Sequence, residues 1–226
     1  MIEAPALALF DLDGTLIDSA PDIADAVDSA MLAAGRAGPG EVVVRGFIGH
    51  GAGRLIHRVI TREPDGVADP AVFTPIYAHF MATYAACLFV RSRVYAGVTE
   101  TLTTLLADGW MLGLITNKPE KFTAPLLELS GLKPFFEVVL SGDSLTTKKP
   151  DPGPLTHAAR LCKVRPERVV MVGDSSIDMR AAASAGVCAI AVDYGYGCRG
   201  ELAGHGAESI ITSMSQLPER LDRLIR

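Results

Sequence analysis

Short apolar runs that alternate with helix-like patterns restrict the fold of this chain more than any other feature of its sequence. Five such runs lie at residues 6–10, 111–115, 137–140, 169–172 and 188–192. Each is mostly apolar, as expected for a strand that is covered on both faces. Helical spacing lies between them, and an edge strand at 209–212 and a closing helix at 218–225 are expected to follow. Strands that alternate with helices predict right-handed crossovers, and therefore an α/β fold with a parallel sheet.

Residues 17–92 interrupt this alternation, because helical patterns dominate there and no strand is expected. The first helix is predicted to start at Ser19 as its N-cap, with Pro21 in the first turn and Asp22 completing a capping box. Further helices are expected at 41–47, 52–61 and 71–89. We therefore predict a helical module at 17–92, inserted into a core formed by residues 1–16 and 93–226.

Composition argues against several classes of partner. The net charge is −5 and no run of Lys or Arg occurs, so neither nucleic acid nor an anionic membrane is an expected partner. The start of the chain lacks the basic region of a signal peptide, and no apolar run approaches the ~18 residues that span a bilayer. The four cysteines form no C-x-x-C pair, which is typical of reduced thiols. We expect a cytoplasmic protein that acts as a monomer or a homodimer.

Acids, hydroxyls and lysines follow four of the predicted strands. The segments that carry them read DLDGT from residue 11, TNK from 116, KKPDP from 148 and GDSSID from 173. In a parallel sheet the carboxyl ends of all strands lie at one edge, and ligands bind there. The four segments are therefore expected to meet in one site.

This set of residues is suited to phosphoryl transfer. Asp11, Asp174 and a main-chain carbonyl would supply the hard oxygen ligands of Mg²⁺, which also binds substrate phosphate. Asp11 could attack phosphorus to form an aspartyl-phosphate, while Asp13 protonates the leaving oxygen and later takes a proton from water. Thr116, nearby backbone N–H groups and Lys149 would stabilise charge on the transferring oxygens.

The motifs DLDGTLIDS, ITNK, KKPDP and VGDSSID, in this order, resemble those of the haloacid dehalogenase-like phosphatase superfamily, in particular its phosphoglycolate phosphatase branch. The resemblance implies a Rossmann-like core, an α-helical cap inserted after the first motif, and Mg²⁺ as cofactor. It also implies a role for each matching residue. By this resemblance, Asp11 is the nucleophile and a metal ligand, and Asp13 is the acid/base and a metal ligand through its carbonyl. Thr116 and Asn117 are the phosphate ligands, and Lys149 rather than Lys148 is the motif lysine. Asp174 is a metal ligand, supported by Asp178.

Departures within the superfamily narrow the expected reaction. Dehalogenases lack the second acid that is present here as Asp13, and phosphonatases place a catalytic lysine in the cap, whereas residues 17–92 contain none. Ion-pump ATPases carry Thr at the position of Asp13. The resemblance therefore implies hydrolysis of a small phosphorylated metabolite, with 2-phosphoglycolate as the first candidate. Another sugar-phosphate or pyrophosphate hydrolase, a phospho-receiver-like signalling module and a catalytically silent binding protein stay open as alternatives.

The inserted module is locally basic around residues 46–58. A carboxylate-bearing substrate would need a cation there, and Arg54 and His50 are the candidates. Purely structural roles are open as well. Thr116 and Asn117 suit the N-cap of a helix that opens at Pro119, and Asp178 suits the start of the helix after the fourth strand.

Overall fold

A six-stranded parallel sheet forms the centre of the molecule in the computed structural model, which describes residues 6–225. The eight strands are β1 (Leu7–Phe10), β2 (Ile17–Asp18), β3 (Arg93–Val94), β4 (Met111–Ile115), β5 (Val138–Leu140), β6 (Val169–Gly173), β7 (Cys188–Val192) and β8 (Ser209–Ile211). The sheet order is β5-β4-β1-β6-β7-β8, so β1 lies between β4 and β6 at the middle of the sheet. The five predicted core strands and the edge strand are all present, with ends displaced by at most one residue.

Helices cover both faces of this sheet. The helices are α1 (Ala20–Ala33), α2 (Glu41–Arg45), α3 (Ala52–Thr61), α4 (Pro70–Ala86), α5 (Val98–Ala107), α6 (Glu120–Leu129), α7 (Gly153–Leu161), α8 (Ser176–Ala185), α9 (Arg199–Gly204) and α10 (Leu217–Ile225). Alternate residues of β1 face opposite sides, since Phe10 packs in a cluster with residues of α5, α6 and α10 whereas Leu9 packs with α7, α8 and α9. Burial on both faces explains why the strands are continuously apolar. The predicted α/β fold is confirmed.

A third apolar cluster holds α1–α4 together as a four-helix segment beside the sheet. Val27, Ile56 and Phe80 are among its fully buried members, and Phe122 of α6 joins it from the sheet side. Two chain crossings connect this segment to the sheet, where β2 and β3 pair antiparallel in a two-stranded ribbon. The prediction that 17–92 contains no strand is therefore wrong at Ile17–Asp18, because a two-residue strand is too short to show a periodic pattern.

The predicted capping box at the start of α1 is also wrong. Ser19 is the N-cap residue, but its hydroxyl donates to Asp13 Oδ1 at 2.5 Å instead of to the helix. Asp22 accepts from the backbone N–H groups of three consecutive residues, 90–92, at 2.7–3.0 Å. Both side chains therefore connect segments that are distant in the chain, and Asp22 fastens the second crossing to the first helix of the four-helix segment.

Two helices end before their predicted positions. α2 ends at Arg45 instead of residue 47 and α4 ends at Ala86 instead of 89, while Asp69 caps α4 by accepting from Ala71 N at 2.7 Å. No helix among residues 6–225 is long and apolar enough to cross a membrane. The predicted core boundaries at residues 1 and 226 lie outside the described residues.

Candidate active site

The first motif is a tight turn that directly follows the central strand. Asp11 continues the ladder through its N–H, which donates to Val172 O at 2.9 Å, and Gly14 turns the chain back with φ of +90°. A Cβ at Gly14 would lie 2.3 Å from Asp174 Oδ2, so this position accepts only glycine. The turn thus brings Asp11 and Asp13 to the carboxyl edge of the sheet and packs its backbone against Asp174.

Three buried carboxylates face each other at this edge. One oxygen from each of Asp11, Asp174 and Asp178 lies within 4.8 Å of the other two. Burial raises the pKa of Asp11 to about 7, against an opposing effect of the Lys149 ammonium, and burial together with the neighbouring carboxylates raises the pKa of Asp174. Thr15 Oγ1 donates to Asp174 at 3.2 Å. Like charges so placed need a cation, and an all-oxygen donor set fits a hard divalent ion such as Mg²⁺.

Lys149 is the cation that the protein itself supplies to this cluster. Its Nζ lies 2.9 Å from Asp11 Oδ1 and 2.6 Å from Asp178 Oδ1, and it donates to Ile115 O at 2.5 Å. Burial would lower the pKa of Lys149, but the two carboxylates outweigh it and raise that pKa. Lys148 is exposed and donates to His50 O at 3.1 Å. Of the two adjacent lysines, the structure therefore brings Lys149 to the carboxylates.

Asp178 also has the structural role that its position suggested. It is the N3 residue of α8, where its Oδ2 accepts from Ser175 N at 3.1 Å and from Ser175 Oγ at 2.6 Å in a reciprocal capping box. One oxygen thus caps the helix and the other meets Lys149. Helix α8 and the carboxylate cluster are therefore fixed to each other.

Thr116 and Asn117 both lie at the end of β4, and neither is the N-cap of α6. The N-cap of α6 is Pro119, so the prediction that Thr116 and Asn117 cap this helix is wrong. The backbone N–H of Glu120, at the start of α6, donates to Asp143 Oδ1 at 2.8 Å instead. Asn117 Nδ2 donates to Lys149 O at 2.8 Å and to Gly49 O at 2.9 Å. Its Oδ1 is buried and has no hydrogen-bond partner among the described residues. Asn117 therefore joins the site to the four-helix segment and keeps one acceptor unused.

A cavity lies between these residues and the four-helix segment. Its floor includes Asp11, Asp13 and Thr116, its volume is about 40 Å³, and its walls are mostly apolar. The apolar part consists chiefly of Ile23, Ile48, Leu55, Phe80 and Phe122. Since one water needs roughly 10–15 Å³ by this measure, the cavity admits only a small group.

The two predicted cap cations lie outside this cavity. Arg54 forms an ion pair with Asp65 at 2.8 Å and donates to Gly66 O at 3.2 Å. His50 contacts Arg58 Nη1 through Nδ1 at 2.9 Å and lines a wider cleft of about 400 Å³, which also borders Asp13 and Asp174. Burial and the adjacent Arg58 lower the pKa of His50 to about 4, so the ring is neutral at neutral pH. The structure does not bring either residue to the cavity above Asp11.

Comparison with known proteins identifies the family. Residues 8–192 match the model of the haloacid dehalogenase-like hydrolases. The chain belongs to this family. It is 37% identical over 223 residues to the phosphoglycolate phosphatase of Nitrosococcus oceani, covering 99% of both proteins, and 43% identical over 188 residues to that of Thiobacillus denitrificans, covering 83% of both. The crystal structure of a predicted phosphoglycolate phosphatase from Haemophilus somnus superposes with a TM-score of 0.90 at 31% identity, covering 97% of this chain and 99% of that one.

Two residues at the site of this haloacid dehalogenase-like hydrolase were not among the candidates predicted from its sequence. Lys118 is buried, with its Nζ 2.9 Å from Asp13 Oδ1 and 2.7 Å from the hydroxyl of Tyr84 in α4. Tyr196, in the loop after β7, donates its backbone N–H to Asp174 Oδ2 at 2.7 Å. Lys118 belongs to the ITNK motif, which is a signal for its presence at the site, whereas Tyr196 lies outside all four motifs.

Proposed function

We propose that this protein is a Mg²⁺-dependent phosphomonoester hydrolase that converts 2-phosphoglycolate into glycolate and phosphate through an aspartyl-phosphate. The observation that carries the proposal is the pairing of Asp11 and Asp13 at the floor of one small cavity. Asp11 sits among buried carboxylates and is paired with Lys149, while Asp13 is paired with Lys118. Family membership and the relatives named phosphoglycolate phosphatase support the same reaction.

The residues that would hold Mg²⁺ are Asp11, Asp174 and Asp178, together with the main-chain carbonyl of Asp13. The bound ion would neutralise the cluster and offset the repulsion between the carboxylates and a phosphate dianion. The protein prepares this site by burying the three side chains and by orienting Asp174 with two hydrogen-bond donors, Thr15 Oγ1 and Tyr196 N–H. Groups that donate hydrogen bonds to a metal ligand fix the orientation of that ligand.

The proposed reaction has two steps. In the first, a carboxylate oxygen of Asp11 bonds to phosphorus as the ester P–O bond breaks, and Asp13 gives its proton to the leaving oxygen of glycolate. In the second, Asp13 takes a proton from a water molecule whose oxygen attacks phosphorus, and the acyl-phosphate bond breaks to release phosphate and restore Asp11. The Thr116 hydroxyl, Asn117 and Lys149 would stabilise the phosphoryl oxygens.

The four-helix segment is proposed to act as a cap that spans residues 17–92, with residues 1–16 and 93–226 as the core. Its Ile23, Leu55 and Phe80 line the cavity above Asp11 and exclude water from it. Closure over the site is supported by the hydrogen bond from Asn117 to Gly49 O, which joins core and cap.

The cavity favours a small acid over a sugar phosphate. Sugar hydroxyl groups need hydrogen-bond partners, and burying them against Ile48, Leu55 and Phe122 would leave them unpaired. The four cysteines are all free thiols, which supports a cytoplasmic location. The proposed enzyme would act there as a monomer or a homodimer on this small phosphorylated metabolite.

Steady-state kinetics with a substrate panel tests the proposal. The purified protein is assayed with 2-phosphoglycolate, glycerol 3-phosphate, glucose 6-phosphate and pyrophosphate, in Mg²⁺ and in EDTA. We expect Mg²⁺-dependent phosphate release, with kcat/KM for 2-phosphoglycolate higher by about tenfold or more, which corresponds to about 1.4 kcal/mol of discrimination. A higher kcat/KM for a sugar phosphate or pyrophosphate would replace the substrate assignment. Absence of turnover with every compound would indicate a phospho-receiver or a binding protein instead.

A further inference from the structure

Lys118 is the one cation among the residues of the described chain that line the cavity above Asp11. It follows Asn117 at the end of β4, and its side chain is almost completely buried. Its Nζ forms an ion pair with the Asp13 carboxylate at 2.9 Å and donates to the Tyr84 hydroxyl at 2.7 Å. The ammonium is therefore charged, and it is enclosed by apolar walls in which its attraction for an anion is stronger than in water.

Tyr84 supplies a second polar group beside Lys118 in the wall of this cavity. Its hydroxyl accepts from Lys118 Nζ at 2.7 Å, and within residues 6–225 no acceptor is found for its own proton. Burial raises the pKa of Tyr84 to about 12, so the hydroxyl stays protonated and remains a donor. The ring is held in place by Phe122, whose centroid lies 4.8 Å away, and by Phe80 at 5.6 Å. A fixed donor beside a fixed ammonium is a suitable site for a carboxylate.

The position of this pair matches the shape of the proposed substrate. Asp13 is to protonate the ester oxygen, and Lys118 Nζ lies only 2.9 Å from Asp13 Oδ1. In 2-phosphoglycolate a single CH₂ group separates the ester oxygen from the carboxylate. When the ester oxygen meets Asp13, the carboxylate is therefore within reach of the neighbouring ammonium and phenol.

We propose that Lys118 and Tyr84 form the subsite that binds the carboxylate of the substrate and so select a phosphorylated small acid. This inference rests on the proposed function and takes the place of the predicted role of Arg54 and His50. Arg54 is committed to Asp65, and His50 is neutral, so neither supplies a charge to the cavity.

The test compares two substrates that differ in the group opposite the phosphate. Wild type, Lys118→Met, Tyr84→Phe and the control Lys121→Met are assayed with 2-phosphoglycolate and with 2-hydroxyethyl phosphate, which has a neutral end. Lys121 is an exposed lysine three residues further on, at the start of α6. Lys118 also contacts Asp13, so both substrates are expected to slow in Lys118→Met. The readout is therefore the kcat/KM for 2-phosphoglycolate divided by the kcat/KM for 2-hydroxyethyl phosphate.

We expect Lys118→Met to reduce the preference for 2-phosphoglycolate by about 10- to 100-fold, as for the loss of a charge-assisted hydrogen bond. Tyr84→Phe, which keeps the ring, should reduce the ratio by about 5- to 10-fold, and Lys121→Met should leave it unchanged. If the ratio is unchanged in both Tyr84→Phe and Lys118→Met, this inference is overturned while the proposed function stands. If Lys118→Met does not fold, an unchanged ratio in Tyr84→Phe alone overturns it. A wild type without any preference for 2-phosphoglycolate instead overturns the proposed function.

Discussion

Tyr196 donates its backbone N–H to Asp174 Oδ2 at 2.7 Å, and its hydroxyl contacts the start of α1. The hydroxyl accepts from Ser19 N at 2.8 Å and Ala20 N at 3.0 Å, and it donates to Asp18 Oδ1 at 3.0 Å. The loop comes this close because the next residue is Gly197, where a Cβ would lie 1.9 Å from Asp174 O. One residue thus connects the carboxylate cluster to the first crossing between the sheet and the four-helix segment.

This connection predicts the effect of Tyr196→Phe. Removing the hydroxyl leaves two backbone donors, Ser19 N and Ala20 N, without their acceptor, whereas Asp18 Oδ1 keeps the hydrogen bond from Arg45 Nη1 at 2.9 Å. We therefore expect a loss of about 1–3 kcal/mol in the free energy of unfolding. Urea denaturation measures it. The matched control is Tyr77→Phe, whose hydroxyl has no hydrogen bond among the described residues and which should change stability by about 0.5 kcal/mol or less. Equal stability of the two variants would contradict the role assigned to the Tyr196 hydroxyl.

The two acids of the first motif are expected to fail in different ways. Asp11→Asn removes the nucleophile, so turnover should fall to background and no phosphate should attach to the protein. Asp13→Asn keeps the nucleophile but loses the proton transfer, so kcat should fall by about 10²- to 10⁴-fold while phospho-enzyme accumulates. Intact-protein mass spectrometry after mixing with substrate distinguishes the two variants. Phospho-enzyme in Asp11→Asn, or normal turnover in either variant, would refute the assignment.

The sheet could be predicted from the sequence because its four inner strands, β4, β1, β6 and β7, are buried on both faces and are therefore continuously apolar. The site followed from the same observation, since parallel strands place Asp11, Thr116 and Asp174 at one edge. The ribbon of Ile17–Asp18 and Arg93–Val94 could not be predicted, because two residues carry no period.

The substrate-facing residues could not be predicted for a different reason. A lysine in a sequence gives no sign of its burial, and Lys118, in the loop after β4, is buried because Tyr84 of α4 covers it. Arg54 stands in a basic stretch that suggested a ligand, yet the fold places Asp65 beside it. Charge along the chain is thus a weak guide to charge in a cavity, since partners distant in sequence decide it.

Lys149→Met tests how the carboxylate cluster is balanced. Without this ammonium, Asp11 and Asp178 lose their ion pairs in a buried setting, so the metal-free protein should lose about 3–5 kcal/mol of stability. A bound divalent cation would replace part of the positive charge that the substitution removes from beside Asp11 and Asp178. Mg²⁺ should therefore raise the Tm of Lys149→Met more than that of wild type. Thermal denaturation with and without Mg²⁺ measures both values, and Lys121→Met serves as the exposed control. An equal Mg²⁺ shift in wild type and Lys149→Met would show that Lys149 and the metal do not share the same charges.

The raised pKa of Asp11 predicts a pH dependence of stability in EDTA. The pKa is about 7 in the folded protein and 3.8 as the ordinary value, so between these values the folded state holds a proton that the unfolded state has released. The contribution of Asp11 to the free energy of unfolding is therefore fully present below about pH 4 and is lost as the pH rises to about 7. The loss amounts to a few kcal/mol, because one pKa unit corresponds to about 1.4 kcal/mol.

The comparison with Asp11→Asn removes this titration, because the amide does not titrate, and it also removes the Asp11 charge that helps to raise the pKa of Asp174. Urea denaturation in EDTA should show wild type losing stability relative to Asp11→Asn between about pH 5 and pH 7, with no further relative change above about pH 7. Mg²⁺ competes with the proton for Asp11, so its stabilisation of wild type should increase over the same interval. A Mg²⁺ effect that is equal at both ends of the interval would show that Asp11 is already ionised in the metal-free protein, and that burial does not hold its proton.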